Sequence, residues 1–186
     1  MHGYHDVNQE FPAAAIFSAD GKPLLSWRVA ILPYIEQDSL YQQFKLDEPW
    51  DSAHNKTLLK QMPATYAMPV GGAAAKQFAT HYQVFAGKGS VFDGKKGCRV
   101  ADITDGTSNT FMIAEAADPV PWTKPADMPF DPKKPLPKVG GLYPNGFNVA
   151  FCDGSVHFLK KSIKPDTLRA LITRAGGEII DSQELE

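Results

Sequence analysis

The clearest pattern along the chain is an alternation near its end. In Phe147-Asn148-Val149-Ala150-Phe151 and again in Val156-His157-Phe158-Leu159 the side chains alternate as half-buried strands require, and Asp153-Gly154 stands between the two runs. Asp-Gly is a strong hairpin signal, because a two-residue type I′ turn needs φ > 0 at both central positions. The pattern therefore predicts a β-hairpin over residues 147–160. Further strands are expected over the β-rich run Thr80–Ala86, over Ser90–Phe92, and over Thr110–Ala114, which follows a second Asp-Gly turn at Asp105-Gly106.

Helical spacing dominates the first half. Residues 1–10 read as the end of a helix, stopped before Pro12 because the residue ahead of a proline is pushed out of the α region. Val29, Ile31, Leu32 and Ile35, then Leu40, Tyr41 and Phe44, recur at near-helical intervals broken by Pro33, which predicts two short helices packed on a sheet. Asp51 or Ser52 caps a third helix that runs to Met62 with Leu58, Leu59 and Met62 inward. Pro165-Asp166 opens a C-terminal helix with Leu168, Leu171 and Ile172 inward, closed by Gly176-Gly177. Residues 69–79 are Gly/Ala-rich and carry little structural signal. Helices first and antiparallel strands later is an α+β order, in a single domain over residues 1–186.

Seven prolines fall between Pro119 and Pro137. Proline fixes φ and lacks the N–H, so residues 118–140 are expected to form a long surface loop rather than a central strand, anchored by Trp122 and Phe130.

Composition narrows the function classes. With 186 residues, 43% of them hydrophobic, the chain can bury about 70% of its unfolded surface as one domain. A net charge of −2 offers no basic field for nucleic acid. No run reaches the ~18 apolar residues of a membrane span, and Met1-His2-Gly3-Tyr4-His5 is not a signal peptide.

Several runs together carry a resemblance: Ser26-Trp27-Arg28-Val29-Ala30-Ile31-Leu32-Pro33-Tyr34-Ile35-Glu36-Gln37, Asp47-Glu48-Pro49-Trp50-Asp51-Ser52, Ala101-Asp102-Ile103-Thr104-Asp105-Gly106-Thr107-Ser108-Asn109-Thr110, Val120-Pro121-Trp122-Thr123-Lys124-Pro125 and the hairpin. Nearly the whole chain resembles a prepilin-type bacterial family, abundant in planctomycetes and named H-X9-DG for a His placed ahead of an Asp-Gly. The same domain is also described as one of unknown function and as a bacterial extracellular solute-binding family. The resemblance implies a type IV pilin-like head: the end of an N-terminal helix, short helices on an antiparallel sheet, and a C-terminal helix. It also implies export, with a long apolar helix as the membrane anchor, so that this chain reads as the head cut just inside the end of that helix.

One position departs from the family pattern. Counting back from Asp153, the signature His is replaced by Tyr143. Phenol titrates near 10 and is a poor metal ligand beside imidazole, so a structural role, such as an aromatic ring closing one end of the hairpin, survives the exchange better than catalysis.

Candidate chemistry is sparse. Asp102, Asp105 and Asn109, with Asp153 from the hairpin turn, supply hard oxygen ligands of the kind calcium takes, although their spacing is not that of an EF-hand; the competing reading is that they cap turns. Cys98 and Cys152 each flank a predicted strand, so a disulfide between them competes with two small buried hydrophobes. The five histidines are scattered, and neither a nucleophile elbow nor a phosphate loop is present. Trp27, Trp50, Trp122 and Tyr143 leave two handles: anchoring the short helices, or stacking on a sugar face, with Trp122 and Tyr143 as the ligand-binding candidates. The expectation is a non-enzymatic envelope protein that assembles with pilin-like subunits or other envelope components. The alternative is a binding module for a solute or polysaccharide, and neither reading involves nucleic acid.

Overall fold

A computed structural model describes residues 1–68 and 77–180. The first helix, α1 (His2–Asn8), buries none of its residues and ends at Gln9, in the left-handed region at φ 62°. Phe11 then turns fully inward, and its N–H donates to the Cys98 carbonyl at 2.7 Å. A small antiparallel pair follows, β1 (Ala15–Phe17) with β2 (Pro23–Ser26). Ser26 caps α2 (Trp27–Ala30) by accepting the Arg28 N–H. A 3₁₀ turn over Leu32–Ile35, which contains Pro33, joins α2 to the short α3 (Asp38–Tyr41), so two short helices stand in this region as expected. The third expected helix is a 3₁₀ helix over Asn55–Gln61, opened by Ser52 Oγ accepting the Asn55 N–H. Of the Gly/Ala-rich stretch, residues 69–76 lie outside the described residues.

The main sheet has the order β3-β5-β7-β8 and is antiparallel throughout: β3 (Ala79–Gln83), β5 (Phe111–Pro121), β7 (Gly146–Phe151) and β8 (Val156–Lys160). One face carries Phe111, Ala114, Phe147, Val149, Phe151 and Leu159 against Leu168, Leu171 and Ile172 of α4 (Pro165–Ile172). The other face looks toward the short helices, in a second apolar cluster with Phe11, Trp27, Leu32, Met112 and Trp122. The fold is α+β, with helices on both sides of the sheet.

Two expectations change. The hairpin stands where alternation put it, but its turn is not type I′. Gly154 donates to Phe151 O and Phe151 donates to Ser155 O, while Gly154 alone of Asp153-Gly154 has positive φ, at 90°. That is the three-residue connection in which a type I turn is completed by a left-handed glycine.

The Pro-rich segment is not strand-free either. β5 runs on to Pro121, pairing Val120 with Thr80 and Pro121 with Ala79. β6 (Met128–Phe130) then lies parallel to β4 (Phe85–Gly87) in a separate two-stranded sheet. Proline is excluded only where the ladder needs its N–H, and a strand end or a two-stranded ribbon leaves positions that do not. The expected strand at Ser90–Phe92 is reduced to isolated bridges from Ser90 to Thr173 and from Phe92 to Ala86.

Candidate functional site

Where the short helices leave the sheet, they enclose an apolar cleft of about 410 Å³. Its floor is Tyr82 of β3, Ile113 of β5, Asn148 and Ala150 of β7 and Val156 of β8; its wall is Trp27, Ile31 and Ile35, with Thr65 and Tyr66 at one end and Met1 at the lip. These residues come from seven separate stretches of chain, which is why no local motif announces the cleft.

A buried ion pair fixes the wall. The Arg28 side chain is inaccessible, and its Nη2 lies 2.8 Å from Asp127 Oδ1. Arg28 also donates to Tyr82 O through Nε at 3.0 Å and Nη2 at 2.6 Å, and to Ser26 Oγ at 2.7 Å. Asp127 Oδ1 accepts in addition from Trp27 Nε1 at 3.1 Å and from the Val84 N–H at 3.0 Å. One carboxylate oxygen thus ties the Pro-rich segment, α2 and the β3–β4 junction together. Tyr66 donates its hydroxyl to Arg28 O at 2.8 Å, and burial pushes its phenol far above the usual value.

A second buried carboxylate, Glu115, holds the floor residue Asn148. Its Oε2 accepts the Asn148 N–H at 2.9 Å and its Oε1 accepts Asn148 Nδ2 at 2.8 Å. Burial, and then the Glu115 and Tyr143 charges, raise the Tyr82 phenol, so Tyr82 presents a neutral hydroxyl-bearing ring to the cleft at physiological pH.

The residues singled out in the sequence go elsewhere. Trp122 is fully buried, edge-on to Phe44 and stacked on Tyr66, with Nε1 donating to Leu59 O at 2.9 Å. Its indole holds the 3₁₀ helix to the sheet, so the reading of Trp122 as a ligand-binding surface residue is corrected. Tyr143 is half-buried, its ring edge-on to Phe158 at 5.8 Å. An aromatic ring at the signature-His position therefore packs against β8 at the open end of the hairpin.

The acidic loop does not converge. Asp102 is bound by Arg99 at 2.8 Å, and that hydrogen bond holds its carboxyl below the usual range. Asp105 accepts the Gly176 and Gly177 N–H groups at 2.7 and 2.9 Å. Asn109 Nδ2 donates to Asp105 O, and Asp153 accepts the N–H and hydroxyl of Ser155. These contacts are the turn-capping alternative to a calcium site. Among the described residues no group of three His, Cys, Asp or Glu side chains is placed to hold a metal ion.

Cys98 and Cys152 are free thiols buried in the same apolar cluster, so the disulfide weighed from the sequence is not formed. Burial raises both thiols above their usual value, Cys152 the more strongly. Since only the thiolate reacts readily, a maleimide or iodoacetamide at neutral pH is expected to leave both cysteines unmodified in the folded protein and to label both in urea. Mass spectrometry before and after unfolding checks this.

A model of a family of proteins of unknown function (DUF1559) matches residues 1–71 and residues 64–137 of the chain. The chain belongs to this family. Its name also marks it as a bacterial solute-binding family, as the resemblance implied. The matched residues of this DUF1559 member include the α2 wall, Arg28, Asp127 and Glu115, and stop short of Tyr143 and the hairpin. No curated protein and no solved structure matches the chain. Among the described residues, no helix is long and apolar enough to cross a membrane.

Proposed function

We propose that this DUF1559 protein is a non-enzymatic, exported head of the pilin or pseudopilin type, which acts at the cell envelope by receiving an apolar group of a partner in the cleft over its sheet. The observation that carries this reading is the cleft itself: its lining is mostly hydrocarbon, with few polar groups. Met1 lies at its lip, and Val7 of α1 is 69% exposed, so the first residues add apolar side chains to the lip and to the surface. The buried titratable groups around the cleft are committed to structure, Glu115 to Asn148 and Tyr66 to Arg28 O. The partners this reading favours are other pilin-like subunits or envelope components, with the membrane reached only through a preceding helix.

A second reading, a solute- or polysaccharide-binding module, draws on the family's name and on Tyr82, Thr65 and Asn148 at the cleft. The burial of Trp122 takes away its main stacking residue.

Site-specific photocrosslinking in the full-length protein, in the cells that make it, separates the two. A benzophenone side chain at Ala150 on the cleft floor is expected to give covalent adducts with envelope proteins, and one at exposed Lys22 is not. Equal adducts at both positions would sink the reading. Protein-free adducts at Ala150 together with a glycan-dependent rise in Tm would favour the second.

A further inference from the structure

The two edges of the main sheet are finished differently. At the β3 edge, Arg28 Nε and Nη2 occupy the Tyr82 carbonyl, and the Val84 N–H just beyond the strand goes to Asp127. Among the described residues no side chain covers the β8 edge in this way, and the turn after the strand engages one carbonyl at its end. The phase of its pairing with β7 follows from two bonds, Phe151 N–H to Ser155 O and Lys161 N–H to Asn145 O. Residues 155, 157, 159 and 161 therefore turn their backbone groups toward β7, and Val156, Phe158 and Lys160 turn theirs outward. The same phase explains why the Asn148 and Cys152 N–H groups point the other way, to Glu115 Oε2 and Thr110 O. Among the described residues, the Lys160 carbonyl alone of these outward groups is engaged, by the Ile163 N–H in the turn that follows.

The side chains on this edge are unusual as well. Val156 is 67% and Phe158 46% exposed, both on the cleft side of the sheet. Short edge strands are normally guarded by charge, and here the charge sits at one end, on Lys160 and Lys161.

We infer that β8 is a self-pairing edge, joining two copies of the chain antiparallel with Phe158 on the twofold axis. The register singles out a second copy as the occupant. Only pairing centred on Phe158 uses all three outward residues, setting Phe158 against itself and Val156 against Lys160 of the other copy in both directions. Centring on Lys160 would oppose two lysines, and centring on Val156 would leave Phe158 and Lys160 without partners inside the strand. In the Phe158 register the like charges stand apart, and two exposed aromatic rings meet side by side. The result is one continuous sheet running from β3 of one copy to β3 of the other, with both clefts on the same face. This inference does not depend on what occupies the cleft.

Sedimentation equilibrium across a concentration series tests it, with paired charge variants at position 156. Val156→Glu places a carboxylate against Lys160 of the other copy twice over and is expected to tighten the dimer about fivefold; Val156→Lys places like charges together and is expected to weaken it by a similar factor. Adding Lys160→Glu to Val156→Lys should restore the dimer. Because Val156 is largely exposed, the urea midpoint of the monomer should stay unchanged in every variant. A chain that remains monomeric throughout, or a dimer that responds in the same direction to Glu and to Lys at position 156, overturns the inference.

Discussion

Asp127→Ala is expected to lower the free energy of unfolding by about 3–5 kcal/mol, as breaking one side of a buried ion pair does elsewhere. The magnitude follows from what the substitution strands. Arg28 is inaccessible and Asp127 nearly so, so solvent cannot replace the lost carboxylate. Trp27 Nε1 and the Val84 N–H lose their acceptor at the same time. By contrast, the exposed Lys45–Glu48 pair, with side chains 52% and 33% accessible, should contribute little, because solvent screens it. Urea denaturation followed by tryptophan fluorescence measures both. A loss below about 1 kcal/mol for Asp127→Ala would mean that Tyr82 O and Ser26 Oγ satisfy the guanidinium unaided. A double replacement of Arg28 and Asp127 by apolar residues of similar volume should recover much of the loss, because it leaves no unpaired charge.

Trp122→Ala is expected to cost a comparable amount, about 3–5 kcal/mol, through the cavity left by a fully buried indole. Phe44 and Tyr66 lose their ring partner, and the Leu59 carbonyl loses its donor. Trp122→Phe fills part of the space and should recover a substantial share of the loss while leaving Leu59 O unpaired. Calorimetry and urea titration give the values. A near-neutral Trp122→Ala would return this residue to the surface role that its place in a proline-rich segment suggests.

How far the fold was legible depended on how locally each element is specified. Alternation around Asp153-Gly154 located the hairpin because strand pattern and turn chemistry lie within a few residues of each other. The turn type was not legible, because it depends on Ser155 closing the ladder rather than Gly154. The α2–α3 region and the C-terminal helix were readable from apolar spacing and from Pro33 and Pro165. The Pro-rich segment misled because the proline rule concerns donors: Pro121 closes a strand, and Pro129 sits in a ribbon that does not call on its nitrogen. Burial of Trp122 could not be read, since nothing nearby shows that the 3₁₀ helix will fold over it.

The candidate site was the least legible part. Arg28 and Asp127 stand 99 positions apart, and the residues lining the cleft are scattered between Met1 and Val156. Tyr143, weighed both as a ligand-binding residue and as a ring closing the hairpin, is not among the residues lining the cleft; its ring meets Phe158.

The contact between Glu115 and Asn148 has a consequence for how the sheet is aligned. β5 and β7 are paired only up to Ala114–Val149, and just beyond that point the Glu115 side chain takes the Asn148 N–H. If β7 slid by two residues along β5, every side chain would keep its face and the apolar pattern would raise little objection. The carboxylate, however, would then be buried opposite Gly146 or Ala150, neither of which has an amide side chain to offer it. Glu115 thus works as an index mark: it makes the one slip that hydrophobic patterning tolerates an expensive alignment error.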